Sequence, residues 1–340
     1  MQQSHAPRPL PLFLELVRTV AAADPQLAAK ALAGLASYEA AARLPERPPR
    51  PVLARTGGAT LRDCGGSGPP VVLVPSLINP PDVLDLDERV SLAGAIAAMG
   101  RHALLLDWGP AAERGELDLG GHVEQLLLPL LRDLPGPPAL IGYCLGGTMA
   151  IAAANLAEVE RVATLAAPWT FSAYPNEARN SLLSLWATAQ PAARELRALP
   201  MEVLQSAFWS LDPKRIVAKF ARFAELAPGE AAARRFITLE DWANEGEPLP
   251  YPAARELIED LFGGDLPGNG GWRVSGKVIS PALPCPLLNI TASADRITPA
   301  AAAPTGTTVK IDSGHVGMIV GSARVELHQA LAEFLGAPCR

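Results

Sequence analysis

The chain is poor in the residues that would announce metal, disulfide or nucleic-acid chemistry. It has four cysteines, at positions 64, 144, 285 and 339. None are close in sequence and none form a Cys-x-x-Cys pair, which speaks against a zinc site or a disulfide framework. Aromatic residues make up 5 % and histidines number five. Lys and Arg together (29) fall short of Asp and Glu (35), for a net charge of -6, and no basic stripe is present to neutralise phosphates, so a nucleic-acid role is not expected. Short basic clusters such as Lys214-Arg215 read as solvated surface, with contact to the phosphates of a ligand as the less favoured alternative. No apolar run approaches the ~20 residues needed to cross a bilayer, and Leu10-Pro11-Leu12-Phe13-Leu14 is broken by proline and followed by Glu15. The expectation is a cytoplasmic protein without a membrane span. What the chain does have is apolar mass: 49 % hydrophobic residues over 340 positions suffices for one large core.

Residues 10 to 44, rich in Ala and Leu, read as a helical hairpin ending in the Pro-rich linker Leu44 to Pro51. This N-terminal arm, 1–51, is expected either to dock on the rest of the chain or to meet a partner. A hairpin is predicted from Val52 to Arg62, turning at Gly57-Gly58. Strands at Val71–Val74, Ala103–Leu106, Ala139–Ile141 and Val162–Leu165 alternate with helical patterns, the signature of a mostly parallel sheet covered on both faces. The rhythm changes after Trp169. Residues from about 172 to 282 are helical and carry most of the aromatics, and the strand pattern returns at Pro286. A catalytic domain at 52–340 with an inserted helical cap at about 172–282 follows, the cap serving to exclude water from a site.

The segment Leu140-Ile141-Gly142-Tyr143-Cys144-Leu145-Gly146-Gly147 joins a buried strand to a helix through a glycine-bounded turn. It has the form of a nucleophile elbow, with cysteine as the nucleophile. A cysteine at a helix N-terminus favours the thiolate, and the free N–H groups there can hold an oxyanion. Packing is the alternative role for such a cysteine. Two later loops supply the other parts of a triad in the order nucleophile, acid, histidine. Asp295 follows the apolar run Pro286 to Ala292, and His315 follows Thr308 to Ile311, between Gly314 and Gly317. Asp107, ending another apolar run, and Asp312, near His315, are competing acids, better suited to turns. His5, His102, His122 and His328 lie where a structural or solvated role is expected.

On these residues the chain resembles the polyhydroxyalkanoate synthases, most of all the short ones that work with a separate subunit. The resemblance runs through Val74-Pro75-Ser76-Leu77-Ile78-Asn79, Val83-Leu84-Asp85-Leu86, Leu106-Asp107-Trp108-Gly109, Gly142 to Thr148, Asp295 to Pro299 and Gly314 to Gly317. Leu239 to Gly246 is a weaker match. It implies an α/β-hydrolase fold and an acyltransferase that polymerises 3-hydroxyacyl coenzyme A thioesters to a polyester through an acyl group on Cys144, with His315 and Asp295 as partners. Coenzyme A would enter as part of the substrate, with no separate cofactor or metal. The Leu145 N–H, and an N–H from the loop after the first parallel strand with Ile78 as candidate, would hold the oxyanion. The resemblance further implies residence at polymer granules and a helical second subunit, the alternative being that the N-terminal arm makes the chain self-sufficient; a homodimer is expected. Pro80-Pro81-Asp82 departs from the family, which places a basic residue and an aromatic there. A hydrolase using the same triad, either a polyester depolymerase or an acyl-thioester hydrolase, is the alternative, and a noncatalytic granule scaffold is a third reading.

Overall fold

In the computed structural model, residues 5–43 and 47–336 are described. Cys339, and 44–46 of the Pro-rich linker, lie outside them. The described residues fall into two compact units, one drawn from 1–47 and 200–246, the other from 48–199 and 247–340.

The larger unit is built on an eight-stranded sheet. Its strands are β1 (Val52–Thr56), β2 (Ala59–Asp63), β3 (Pro70–Val74), β4 (His102–Asp107), β5 (Ala139–Tyr143), β6 (Arg161–Leu165), β7 (Leu287–Ala292) and β8 (Thr307–Ile311). Their spatial order is β1-β2-β4-β3-β5-β6-β7-β8. The β1–β2 hairpin and the β2–β4 pair are antiparallel, and every pairing from β4 to β8 is parallel. Central strands β3 and β5 are buried at every position, as a sheet covered on both faces requires. That burial explains why they read as continuous apolar runs. The chain crosses from β3 to β4 on one side and then to β5 on the other. In open α/β sheets the crevice at the carboxyl ends of such strands is where ligands bind.

The loops after β3 and β4 are tied to their neighbours by side-chain contacts. Trp108, just after β4, donates from Nε1 to the Pro75 carbonyl at 3.0 Å, supporting the loop after β3. Asp85 accepts from Arg50 at 2.7 and 3.1 Å and from the Ser91 hydroxyl at 2.6 Å, pinning the Pro-rich segment before β1. The Pro80-Pro81-Asp82 departure forms the start of a short 3-10 turn, Pro81–Leu84. Asp82 pairs with Arg62 at 3.4 Å.

The smaller unit is helical. Helices Leu10–Ala21 and Pro25–Ala40 pack with Met201–Ser210, Pro213–Phe223 and Ala231–Asn244. The N-terminal arm and the middle of the expected cap therefore form one unit, a grouping different from the division into 1–51 and an insertion at about 172–282. The physical reason is an aromatic core shared by both stretches. Phe13 and Phe220 rings lie 4.7 Å apart, Tyr38 meets Phe220 at 5.8 Å, and Phe223 stacks on Phe236 at 4.3 Å. Separate helices carry one apolar stripe each, and sequence periodicity does not say which stripes meet. Residues 176–196 and 247–282 remain with the sheet.

The weak match at Leu239 to Gly246 has its role here. Asp241 accepts from the Tyr38 hydroxyl at 2.6 Å and from Arg43 at 2.9 and 3.1 Å. Glu240 pairs with Lys219 at 2.6 Å, and Asn244 accepts from the Arg8 backbone N–H at 3.0 Å. Asp241 and Asn244 hold the N-terminal segment in place, whereas Glu240 ties Ala231–Asn244 to Pro213–Phe223. Among the described residues no helix is long and apolar enough to cross a membrane.

Candidate active site

Tyr143 is the last residue of β5 and Leu145 the first of the helix Leu145–Leu156, so Cys144 is the single residue of the turn. Its backbone stands at φ 55°, ψ -131°, in a region that L residues rarely occupy. Such a conformation costs of order 1–3 kcal/mol and persists only where the surroundings impose it. The surroundings here are glycines and backbone bonds. A Cβ on Gly142 would run into the backbone of Gly147, and one on Gly146 into the Val74 carbonyl, so the strand, turn and helix close up only with hydrogen at both positions. The Cys144 N–H donates to the Leu165 carbonyl at 2.9 Å, and its own carbonyl accepts from Gly147 N–H at 2.9 Å. Cys144 is half-buried, whereas Cys64 is buried and its thiol is pushed up to about 12, chiefly by burial.

The structure brings His315 and Asp295 together from the loops after β8 and β7. Nδ1 of His315 lies 2.7 Å from Oδ2 of Asp295, with the two side chains 7 % and 0 % exposed. The other carboxylate oxygen accepts from the backbone N–H groups of Ile297 and Thr298, each at 2.8 Å. With both oxygens committed, the carboxylate has one orientation, and it fixes that of the imidazole. The two loops are stitched by Ser293 N–H to the Ile311 carbonyl and Ala294 N–H to the Ser313 carbonyl, both at 2.8 Å. Burial pushes His315 towards the neutral form, but the sulfur of Cys144 and then the Asp295 carboxylate outweigh it, and its pKa is raised to about 10.

The competing acids are engaged elsewhere. Asp107 pairs with Arg62 and accepts from Gly109 N–H at 3.0 Å. Asp312 accepts from the Ser293 hydroxyl at 2.5 Å. Of the other histidines, His122 is fully buried against Arg114, with Nδ1 2.6 Å from the Asp118 carbonyl, and burial lowers it to about 4. His102 pairs with Asp63 at 3.1 Å. His328 lies in the helix Arg324–Leu335.

Leu145 opens the helix after Cys144, so its N–H belongs to the first turn, where backbone donors have no partner within the helix. Ile78, in the loop after β3, donates its N–H to the Ser76 hydroxyl at a long 3.4 Å. Two buried tyrosines close the site. The Tyr143 ring lies 5.1 Å from that of His315, and the Tyr174 hydroxyl is 3.5 Å from that of Thr298. The sequence expectation passes over both, because a tyrosine flanking a nucleophile carries no spacing signal of its own.

No family model matches the chain. Among curated proteins, it is 27 % identical over 290 residues to the poly(3-hydroxyalkanoate) polymerase subunit PhaC of Allochromatium vinosum, covering 78 % of this chain and 80 % of that one. It is 25 % identical over 290 residues to the PhaC subunit of Haloarcula marismortui, and 27 % over 277 residues to that of Haloferax mediterranei. The chain is similar to PhaC polymerase subunits over most of its length. It spans 60 % of the Haloarcula subunit and 55 % of the Haloferax one, the matches covering 78 % and 74 % of this chain. Among solved structures, BpoC from Mycobacterium tuberculosis H37Rv superposes with a TM-score of 0.51 at 15 % identity, over 86 % of this chain and 100 % of that one. That likeness concerns fold alone. The fold is that of the α/β-hydrolases, as the resemblance of the motifs to PhaC implies.

Proposed function

We propose that the chain is an acyltransferase that polymerises 3-hydroxyacyl coenzyme A thioesters, with Cys144 as nucleophile, His315 as general base and acid, and Asp295 as the group that orients His315. One observation carries the reading: a cysteine held at positive φ on a strand-to-helix turn, in a chain whose His315 is fixed by a fully committed carboxylate. Similarity to PhaC subunits supports the choice of substrate.

The reaction follows from these groups. His315 takes the proton of Cys144, and the sulfur attacks the thioester carbonyl. The N–H of Leu145, with that of Ile78, receives the negative charge on oxygen. Collapse of the tetrahedral adduct breaks the bond to the coenzyme A sulfur, which leaves with the proton held on His315. The acyl group remains on Cys144 as a thioester, still activated for transfer to an alcohol. His315 then accepts the proton of the incoming 3-hydroxyl, an ester bond forms, and Cys144 is released. Every group these steps need is a side chain or backbone N–H of the chain, and coenzyme A enters as part of the substrate. A helical second subunit, a homodimer and a place on polymer granules belong to the same proposal.

Incubation with 3-hydroxybutyryl coenzyme A, beside a Cys144→Ala control, tests it. The proposal predicts thiol release that depends on Cys144, together with insoluble polyester. Release with only soluble 3-hydroxybutyrate assigns the site to hydrolysis instead, and full thiol release by the Cys144→Ala protein removes the cysteine from the reaction.

A further inference from the structure

Tyr143 directly precedes the proposed nucleophile and its ring packs on the proposed base, yet the steps above make no use of it. It ends β5 directly before Cys144 and is 4 % exposed. Its ring centroid lies 5.1 Å from that of His315, tilted by 38°, and its hydroxyl donates to the His315 carbonyl at 3.4 Å. A cation within about 6 Å of an aromatic centroid is attracted to the ring face, more so where water is excluded. The charge on a protonated imidazole spreads over the ring, so Tyr143 offers it a surface that Asp295, bound at Nδ1, does not cover.

We propose that Tyr143 is a positioning residue, whose ring supports the imidazolium of His315 while its hydroxyl tethers the loop that carries it. The inference rests on the proposed pairing of Cys144 with His315. The groups facing His315 are Cys144 from the elbow, Asp295 from the loop after β7 and Tyr143 from β5. Tyr174 lies near Cys144 and Asp295 and is held neutral by burial. In this arrangement the elbow residue before the nucleophile sets how much of the thiolate–imidazolium pair is present at neutral pH, whatever acyl acceptor follows. Tyr143 acts on both partners through their neighbourhood and touches no reacting atom.

The test reads the pair itself. The full chain is alkylated with iodoacetamide from about pH 5 to pH 10, and modification of Cys144 is followed by mass spectrometry. Tyr143→Phe keeps the ring and is expected to stay within about threefold of wild type, whereas Tyr143→Leu removes it and is expected to slow neutral-pH alkylation by about tenfold. The rising limb of the profile moves to higher pH in the Leu variant, because a less supported imidazolium stabilises the thiolate less. Pentafluorophenylalanine at 143 keeps the shape of the ring and reverses its face charge, so it is expected to behave as the Leu variant even if that protein folds poorly. A wild-type profile for the fluorinated protein, or a loss in Tyr143→Phe as large as in Tyr143→Leu, overturns the role of the ring. His315→Ala separates the two levels: if it alkylates as fast as wild type, the Cys144–His315 pairing falls and the inference with it. If it slows while the fluorinated protein does not, only the inference falls.

Discussion

At the residue scale, the site is a set of groups whose freedom has been removed. Cys144 has one backbone conformation, Asp295 has both oxygens bonded, and His315 has one ring orientation. His315 also carries a pH signature. Burial opposes its charge, but Cys144 and Asp295 raise its pKa to about 10, above its ordinary value near 6.5. A raised folded-state value means stabilisation that is fully present below about pH 6.5 and is lost as the pH rises through about 10. The difference in unfolding free energy between wild type and His315→Gln, from urea titrations, is therefore expected to shrink across that window. A difference that stays constant from pH 6.5 to 10 contradicts the account. The positions of the three residues at strand ends could be read from the sequence because Cys144 and His315 stand among glycines and Asp295 follows an apolar run. The engagement of Asp107 by Arg62 was not legible, since a partner 45 positions away leaves no trace in spacing.

At the scale of elements, the sheet was readable and the helices only in part. The parallel strands are buried on both faces and stand out as apolar runs, and the Gly57-Gly58 turn marks the β1–β2 hairpin. The helices of residues 10–40 and 201–244 were recognisable as helical, but their pairing depends on shape. Gly34 shows why. A Cβ there would collide with the Phe220 carbonyl, so the helices Pro25–Ala40 and Pro213–Phe223 approach backbone to backbone at this point. Gly34→Leu is expected to force them apart and to cost about 1–3 kcal/mol, as overpacking in close-packed interiors does. The loss is measurable as a lower urea midpoint followed by tryptophan fluorescence, Trp209 lying in the same core. An unchanged midpoint would mean that this approach is not tight.

For the whole molecule, a sheet of α/β-hydrolase topology presents Cys144, Asp295 and His315 from the carboxyl ends of β5, β7 and β8. Its similarity to PhaC subunits extends over 78 % of the chain. The sequence motifs that carry the resemblance divide into two kinds of work. Gly142 to Gly147 and the loops of Asp295 and His315 build the proposed site, whereas Trp108, Asp85 and Asp241 hold loops and helices in place. The central claim is that the acyl group is carried on Cys144, and rapid quenching tests it most directly. The full chain is mixed with 3-hydroxybutyryl coenzyme A, stopped in acid, digested and examined by mass spectrometry. The account predicts a 3-hydroxybutyryl group on the peptide containing Cys144, formed as coenzyme A is released and absent from Cys144→Ala. Coenzyme A release at the wild-type rate with Cys144 unmodified throughout would contradict it.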